Sequence, residues 1–133
     1  MYNGPFFLKL ELPGLPRTTN ANSRGKLRDR LREKRLWKRT VWLLVREQGG
    51  PPVEPIKQAA LKLTRFSSAE PDYDGLVSSF KHVIDGLVES GVLAGDKRVH
   101  IGVPDYQWVR CPAGKGKCTV EVNEVVIPRR GSE

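Results

Sequence analysis

The feature that most constrains the fold is an apolar repeat of helical period in residues 75–90, directly after a pair of acidic residues. At 100° per residue, seven apolar side chains fall on one side of this segment: Leu76, Val77, Phe80, Val83, Ile84, Leu87 and Val88. A helix with one apolar face has to bury that face against another layer of the fold. The sequence therefore predicts a core-facing helix that ends at Ser90 and Gly91.

The opposite side of this predicted helix carries a polar stripe. Asp74, Ser78, Lys81 and Asp85 follow one another at helical spacing, which places them in one line. An ordinary amphipathic helix with Asp74 as its N-cap accounts for part of this pattern. It does not account for the additional carboxylate of Asp72, or for the order of Lys81 and Asp85, because a cation before its anion is the less favourable helix pair.

The acidic residues and their spacing resemble the RusA family of Holliday-junction resolvases, above all its phage and prophage members. The residues that carry the resemblance are Asp72, Asp74, Lys81, Asp85, Leu87 and Asp96. The pattern differs from that of the family in the spacing from Asp74 to Lys81, which is three residues longer than in the best-known bacterial member, and at two positions. Gly75 stands where the family has Asn, and Gly95 replaces the first acid of an Asp-Asp pair.

The resemblance implies a dimeric, metal-dependent and structure-selective DNA endonuclease that resolves four-way junctions or related branched DNA. It implies that Asp72, Asp74 and Asp96 bind Mg²⁺, for which Mn²⁺ can substitute, and that Lys81 assists catalysis. Asp85 either orients Lys81, joins the metal shell or forms a helix ion pair. Carboxylates about 6 Å apart repel by about 3 kcal/mol at an effective dielectric near 20, so three in one site need a counter-charge.

The net charge of +8 is concentrated in one segment of the chain. Residues 24–47 contain ten Lys and Arg against three Asp and Glu, which gives this segment a charge of +7. Every phosphate of DNA attracts the same sign of charge, so this excess favours a DNA contact over a solvated face of mixed sign. The predicted DNA-binding residues are Arg17, Asn20, Arg24, Lys26, Arg28, Arg30 and Arg32. Asn20 is assigned by resemblance to a family loop, and an N-capping turn is its alternative.

Alternating and helical periods together predict an α+β fold with one sheet of about four strands, in the order β-α-β-α-β-β, covered by two helices. The predicted strands span 6–12, 55–67, 97–110 and 118–127, and the predicted helices span 26–47 and 75–90. The last two strands are expected to form a hairpin. The length suits one domain, so residues 1–133 are interpreted as a single endonuclease domain.

Other chemistries are less favoured by the sequence. Cys111 and Cys118 have no His nearby, which argues against a zinc site, and they are expected to face each other across the hairpin. His82 is assigned to the surface, and Trp37 and Trp42 to the core. The chain shows no signal peptide and no long apolar run, which predicts a cytoplasmic protein without a membrane contact. A DNA-binding protein with a decayed metal site and a module for an acidic protein are the alternative functions.

Overall fold

The computed structural model describes residues 5–18 and 27–126. In these ranges the chain forms an α+β fold with a single mixed sheet of four strands, as predicted. The strands are β1 (Phe7–Leu12), β2 (Ala59–Ser67), β3 (Asp105–Arg110) and β4 (Lys117–Glu124). The helices are α1 (Leu27–Glu47), α2 (Tyr73–Ser79), α3 (Lys81–Glu89) and α4 (Arg98–Ile101).

The strand order in the sheet is β1-β4-β2-β3. β4 runs antiparallel to both of its neighbours, so that Val120 lies opposite Leu10 on one side and Leu63 on the other. β3 pairs in parallel with β2. A parallel pair needs a crossover connection, and the segment that contains α2, α3 and α4 supplies it.

The predicted hairpin between the last two strands is wrong, because β4 lies between β1 and β2. Cys118, Val120 and Val122 of β4 are 0% exposed, whereas Tyr106 and Trp108 of β3 are only half-buried. The strand with the more completely apolar inner face therefore occupies the centre of the sheet, where burial is deepest.

The three longer helices cover one face of the sheet. One core cluster joins Leu10, Leu63 and Val120 of the sheet to Val41 of α1 and to Phe80 between α2 and α3. The other face exposes polar side chains, among them Lys9, Glu11, Lys62 and Gln107. In the described ranges, no helix combines the length and hydropathy needed to cross a bilayer.

The helix predicted over residues 75–90 is interrupted at Phe80, where φ is −96° and ψ is 1°. It also begins earlier than predicted, because Asp72 rather than Asp74 is the N-cap. One carboxylate oxygen of Asp72 (Oδ1) accepts a hydrogen bond from the backbone N–H of Gly75 at 2.7 Å. The predicted apolar face is confirmed, since all seven of its residues are buried or half-buried.

α1 confirms the helix predicted over 26–47, although position 26 lies outside the described residues. Its apolar stripe reaches the core only from Trp37 onward, whereas Leu27 and Leu31 are 64% and 43% exposed. The 21 residues of α1 span about 31 Å, and the six residues of β1 span about 20 Å. The first turns of α1 therefore extend beyond the strand on which the helix packs.

The first half of the strand predicted over 97–110 is wrong. The carbonyl of Lys97 accepts from the N–H of Ile101 at 3.0 Å, which closes the helical turn of α4. Pro104 has no N–H to donate to a strand partner, and β3 begins only after it, at Asp105. The strand predicted over 55–67 also begins later than expected, at Ala59.

Candidate functional site

The predicted acidic site borders a cleft between α2, α3 and the segment that leads into β3. Three of the five predicted catalytic residues, Lys81, Asp85 and Asp96, line this cleft, which we call the acidic cleft. Its volume is about 320 Å³, and Tyr106 forms part of its wall. The structure thus brings one cation and two carboxylates to a single water-accessible space.

The helical spacing explains how the polar residues reach the acidic cleft. Ser78, Lys81 and Asp85 all line it, so the predicted stripe survives the interruption at Phe80. Asp96 joins them from the turn after α3. Among the described residues, no ion pair joins Lys81 to Asp85, so the alternative of a helix ion pair is not realised.

Asp72 and Asp74 lie at the N-terminus of α2 and do not form part of the cleft wall. Asp72 uses one carboxylate oxygen for the cap, and Asp74 is exposed one helical turn before Ser78. The rings of Tyr73 and Tyr106 meet edge to face with their centroids 6.4 Å apart. Because Tyr106 is also a wall of the acidic cleft, this contact places the start of α2 beside the cleft.

The arrangement of the carboxylates bears on their capacity to bind a metal ion. In the described part of the chain, no three His, Cys, Asp or Glu side chains converge into a group that could hold a metal ion. The set of Asp72, Asp74 and Asp96 is therefore not assembled around one point. Mg²⁺ often takes one or two carboxylates and completes its shell with water and substrate oxygens. Asp85 and Asp96, two oxygen donors in one cleft, fit this smaller requirement.

The two glycines that stand in place of family residues, Gly75 and Gly95, each lie close to another side chain. A Cβ atom at Gly75 would lie 2.7 Å from Asp72 Oδ1 and 3.3 Å from the Cβ of Thr18. A Cβ atom at Gly95 would lie 2.6 Å from Cδ2 of His100. A side chain at either position would have to displace the Asp72 carboxylate that caps α2 or the imidazole ring of His100.

Arg65 holds the loop after β1 close to the start of α2, a role that sequence reasoning missed. Its guanidinium Nη1 donates to the carbonyl of Pro16 at 2.6 Å. Further along the same loop, Thr18 lies beside Gly75, since a Cβ atom at Gly75 would lie 3.3 Å from the Cβ of Thr18. Burial lowers the pKa of Arg65, because desolvation disfavours its charged form. Arg65 follows Leu61 and Leu63 at intervals of two residues, and this spacing is the signal in the sequence that places it on the buried face of β2.

Four of the seven predicted DNA-binding residues lie within the described ranges: Arg17, Arg28, Arg30 and Arg32. Asn20, Arg24 and Lys26 lie outside the described residues. The backbone N–H of Arg17 donates to a carboxylate oxygen of Glu33 at 3.1 Å, and the Arg17 guanidinium lies 3.9 Å from the other oxygen. Arg28, Arg30 and Arg32 are exposed on α1. Residues four apart share a helix face and residues two apart do not, so Arg30 points away from the other two.

A second cleft, which we call the basic cleft, lies between α1 and α3 and has a volume of about 310 Å³. It is lined by Lys38, Arg39, Trp42, Gly86, Glu89 and Ser90. Trp42 was predicted in the core, but it is 42% exposed here because it lies to one side of the buried stripe of α1. Lys38 forms an ion pair with Glu89 across the cleft.

His82, which was predicted at the surface, is half-buried. Its ring nitrogen Nδ1 is buried and has no hydrogen-bond partner among the described residues. The pKa of His82 is lowered, mainly by burial. The negative charge of Asp85 opposes this shift, and the positive charges of Lys34 and Lys81 add to it.

Both cysteines are free thiols. They do not face each other, because β3 and β4 are not paired and Cys118 lies opposite Arg65 of β2. Burial raises the pKa of the Cys118 thiol to about 12. Cys118 is therefore a protonated core residue at neutral pH, and only Cys111 is partly accessible.

Two sequence comparisons identify no relative of this chain. No protein-family model matches the chain, and a search of curated proteins gives no match. The likeness to RusA resolvases is therefore a resemblance of one motif.

Proposed function

We propose that the protein is a metal-dependent, structure-selective DNA endonuclease that hydrolyses phosphodiester bonds in four-way junctions or related branched DNA. The observation that carries this proposal is the acidic cleft, in which Lys81, Asp85 and Asp96 meet. Two carboxylates supply oxygen donors for a hard cation, and one ammonium group supplies a contact for phosphate. This combination is suited to phosphodiester chemistry.

Within this cleft, Asp85 and Asp96 would hold Mg²⁺ or Mn²⁺. Asp74 and the carboxylate oxygen of Asp72 that does not cap the helix lie at the adjacent end of α2. There they would add negative charge beside Asp85 and Asp96. A bound ion supplies a water molecule of lowered pKa and neutralises negative charge. Lys81 binds a phosphate oxygen and stabilises the charge that develops in the transition state.

The basic surface supports DNA as the substrate. The net charge of +8 is concentrated around α1, where Arg28, Arg30 and Arg32 are exposed. A two-fold homodimer would present two acidic clefts to a four-way junction, as two symmetric nicks require. We therefore propose a homodimer that acts on DNA in the cytoplasm.

The test is a cleavage assay on synthetic four-way, flap and linear duplex DNA, with Mg²⁺, with Mn²⁺ and with a chelator. We expect metal-dependent nicking of the branched substrates. Asp96→Asn should lower the rate by more than about 100-fold, because even the outer-shell partners of a metal are worth about 10–100-fold. Glu70→Gln is the matched control, since it removes an exposed carboxylate from the loop before α2.

Wild-type cleavage by both Asp85→Asn and Asp96→Asn would remove the acidic cleft from the reaction. Salt-sensitive junction binding without cleavage in either metal would select the alternative, a DNA-binding protein with a decayed metal site. Gly95 favours that alternative, because the first acid of the family's Asp-Asp pair is absent and the ring of His100 lies against this position.

A further inference from the structure

One face of α1 carries a line of exposed arginines, which we call the arginine track. It consists of Arg28, Arg32, Arg35, Arg39 and Arg46. At 100° per residue these five side chains fall within an arc of about 60°, and they extend over about 27 Å of helix. Among the described residues, none of the five guanidinium groups pairs with a carboxylate. A polyanion of extended shape is the partner that fits such a line.

Trp42 lies between the arginine track and the buried side of α1. It is 42% exposed, although an indole ring gains free energy when it is buried. The guanidinium carbon of Arg46 lies over the ring at 4.3 Å from its centroid. Trp42 and Arg39 also line the basic cleft, so the cleft opens beside the track.

The basic cleft offers the groups that recognise a nucleobase. Trp42 supplies an aromatic surface for stacking, and Lys38 and Glu89 supply a donor and an acceptor. Gly86 lines the cleft without a side chain, and it allows α3 to approach α1 closely. Because Lys38 pairs with Glu89, its positive charge offsets the repulsion between the Glu89 carboxylate and a phosphate backbone nearby.

We propose that this surface binds single-stranded nucleic acid, with its phosphates on the arginine track and one unstacked base in the basic cleft against Trp42. Duplex DNA satisfies the arginines but keeps its bases stacked inside the helix, away from the indole ring. The proposal goes beyond the cleavage function, and it needs neither a metal nor the acidic cleft.

The test measures binding of a fluorescein-labelled oligothymidylate of about 20 nucleotides by anisotropy, in a buffer with chelator. Trp42→Ala should weaken binding about tenfold, because one stacked base is worth a factor of this order. Leu43→Ala is the matched control, since Leu43 is the adjacent residue and is 43% exposed. It should change the affinity by less than about twofold. Thermal melting of each variant verifies its fold.

The salt dependence separates the phosphate contacts from the base contact. Arg32→Gln combined with Arg39→Gln should lower the slope of log K against log salt concentration by about 1.4, at about 0.7 for each single-strand phosphate. Lys62→Gln removes an exposed cation from the sheet face opposite the helices, and it should leave the slope unchanged. Trp42→Ala should also leave the slope unchanged, because it removes no charge.

An abasic strand of the same length tests whether a base enters the cleft. The wild-type protein should prefer oligothymidylate over the abasic strand, and Trp42→Ala should abolish this preference. Equal wild-type affinities for the two strands would overturn the proposal, and so would unchanged binding by Trp42→Ala. Equal weakening of single-strand and duplex binding by Trp42→Ala would overturn it as well. Because no metal is present, these outcomes are independent of whether the acidic cleft cleaves DNA.

Discussion

The two clefts that α3 helps to form have similar volumes, about 320 and 310 Å³, but opposite electrostatic character. The acidic cleft sets two carboxylates against Lys81. The basic cleft sets Lys38 and Arg39 against Glu89 and adjoins the arginine track. The first suits a cation that mediates chemistry on phosphate, and the second suits the polyanion itself. One helix of nine residues thus positions two surfaces with complementary roles toward the same kind of ligand.

Gly86→Ala should have the largest effect among the substitutions that distinguish the two clefts, because it alters the basic cleft at the interface of α1 and α3. The added Cβ would lie 3.0 Å from the Cβ of Val41 and 3.2 Å from the Cα of Lys38, so α1 has to move away from α3. Overpacking costs about 1–3 kcal/mol and the better helix propensity of Ala offsets about 1, so we expect a net loss of up to about 2 kcal/mol. Urea unfolding measures this loss.

The same substitution should weaken binding of oligothymidylate, because the basic cleft lies between the two helices that move apart. Leu43→Ala, on the exposed side of α1, serves as the control for both measurements. A Gly86→Ala protein as stable as the wild type would show that the interface of α1 and α3 yields without cost.

Asp72→Ala should lower the free energy of unfolding by about 1 kcal/mol, because the N-cap of α2 is lost. Asp72→Asn should keep most of that stability, since Asn is an equally good cap. Under the proposed function, Asp72→Asn nevertheless loses cleavage, so the two variants distinguish a capping role from a ligand role. Chemical denaturation and the junction assay provide the two measurements. Equal stability of Asp72→Ala and the wild type would show that the cap contributes nothing.

His82 should give the smallest of the three effects, through the pH dependence of stability. Its pKa is lowered in the folded protein, so the unfolded chain takes up the proton first as the pH falls below about 6.5. The contribution of neutral His82 to the free energy of unfolding is fully present above that pH, and it is lost as the pH falls toward the pKa of His82 in the folded protein.

His82→Gln should therefore lose less stability than the wild type when urea unfolding is repeated at about pH 7.5 and pH 5.5. Between about pH 7.5 and pH 8.5 both proteins should behave alike, which is the internal control. Parallel losses on acidification would show that His82 does not contribute.

The acidic cleft could be predicted in large part because its residues are close in sequence. Ser78, Lys81 and Asp85 follow the period of a helix, and that period can be recognised in the sequence alone. The basic cleft could not, because Trp42 and Glu89 meet only when α1 packs on α3. Hydrophobicity assigned Trp42 to the core, and only the packing of α1 shows that it lies at the edge of the buried stripe.

The fold class was predictable and the sheet order was not. Alternation identifies strands, but it does not say which strands are neighbours. The alternating Val99, Ile101 and Val103 imitate a strand, yet Val99 and Val103 are 66% and 72% exposed and only Ile101 is buried. In this segment the hydrogen bonds of α4 prevailed over the apolar alternation.

The central position of β4 also determines when the chain can fold during synthesis. Leu8 lies opposite Val122, and the N–H of Phe6 donates to the side chain of Glu124, so these partners are more than a hundred residues apart. In the described sheet, β4 is the sole neighbour of β1. A ribosome has to complete residue 124 before β1 finds its partner, and pairings of this range fold slowly. Until then the nascent chain carries an unpaired strand edge, which exposes it to aggregation and to chaperone binding.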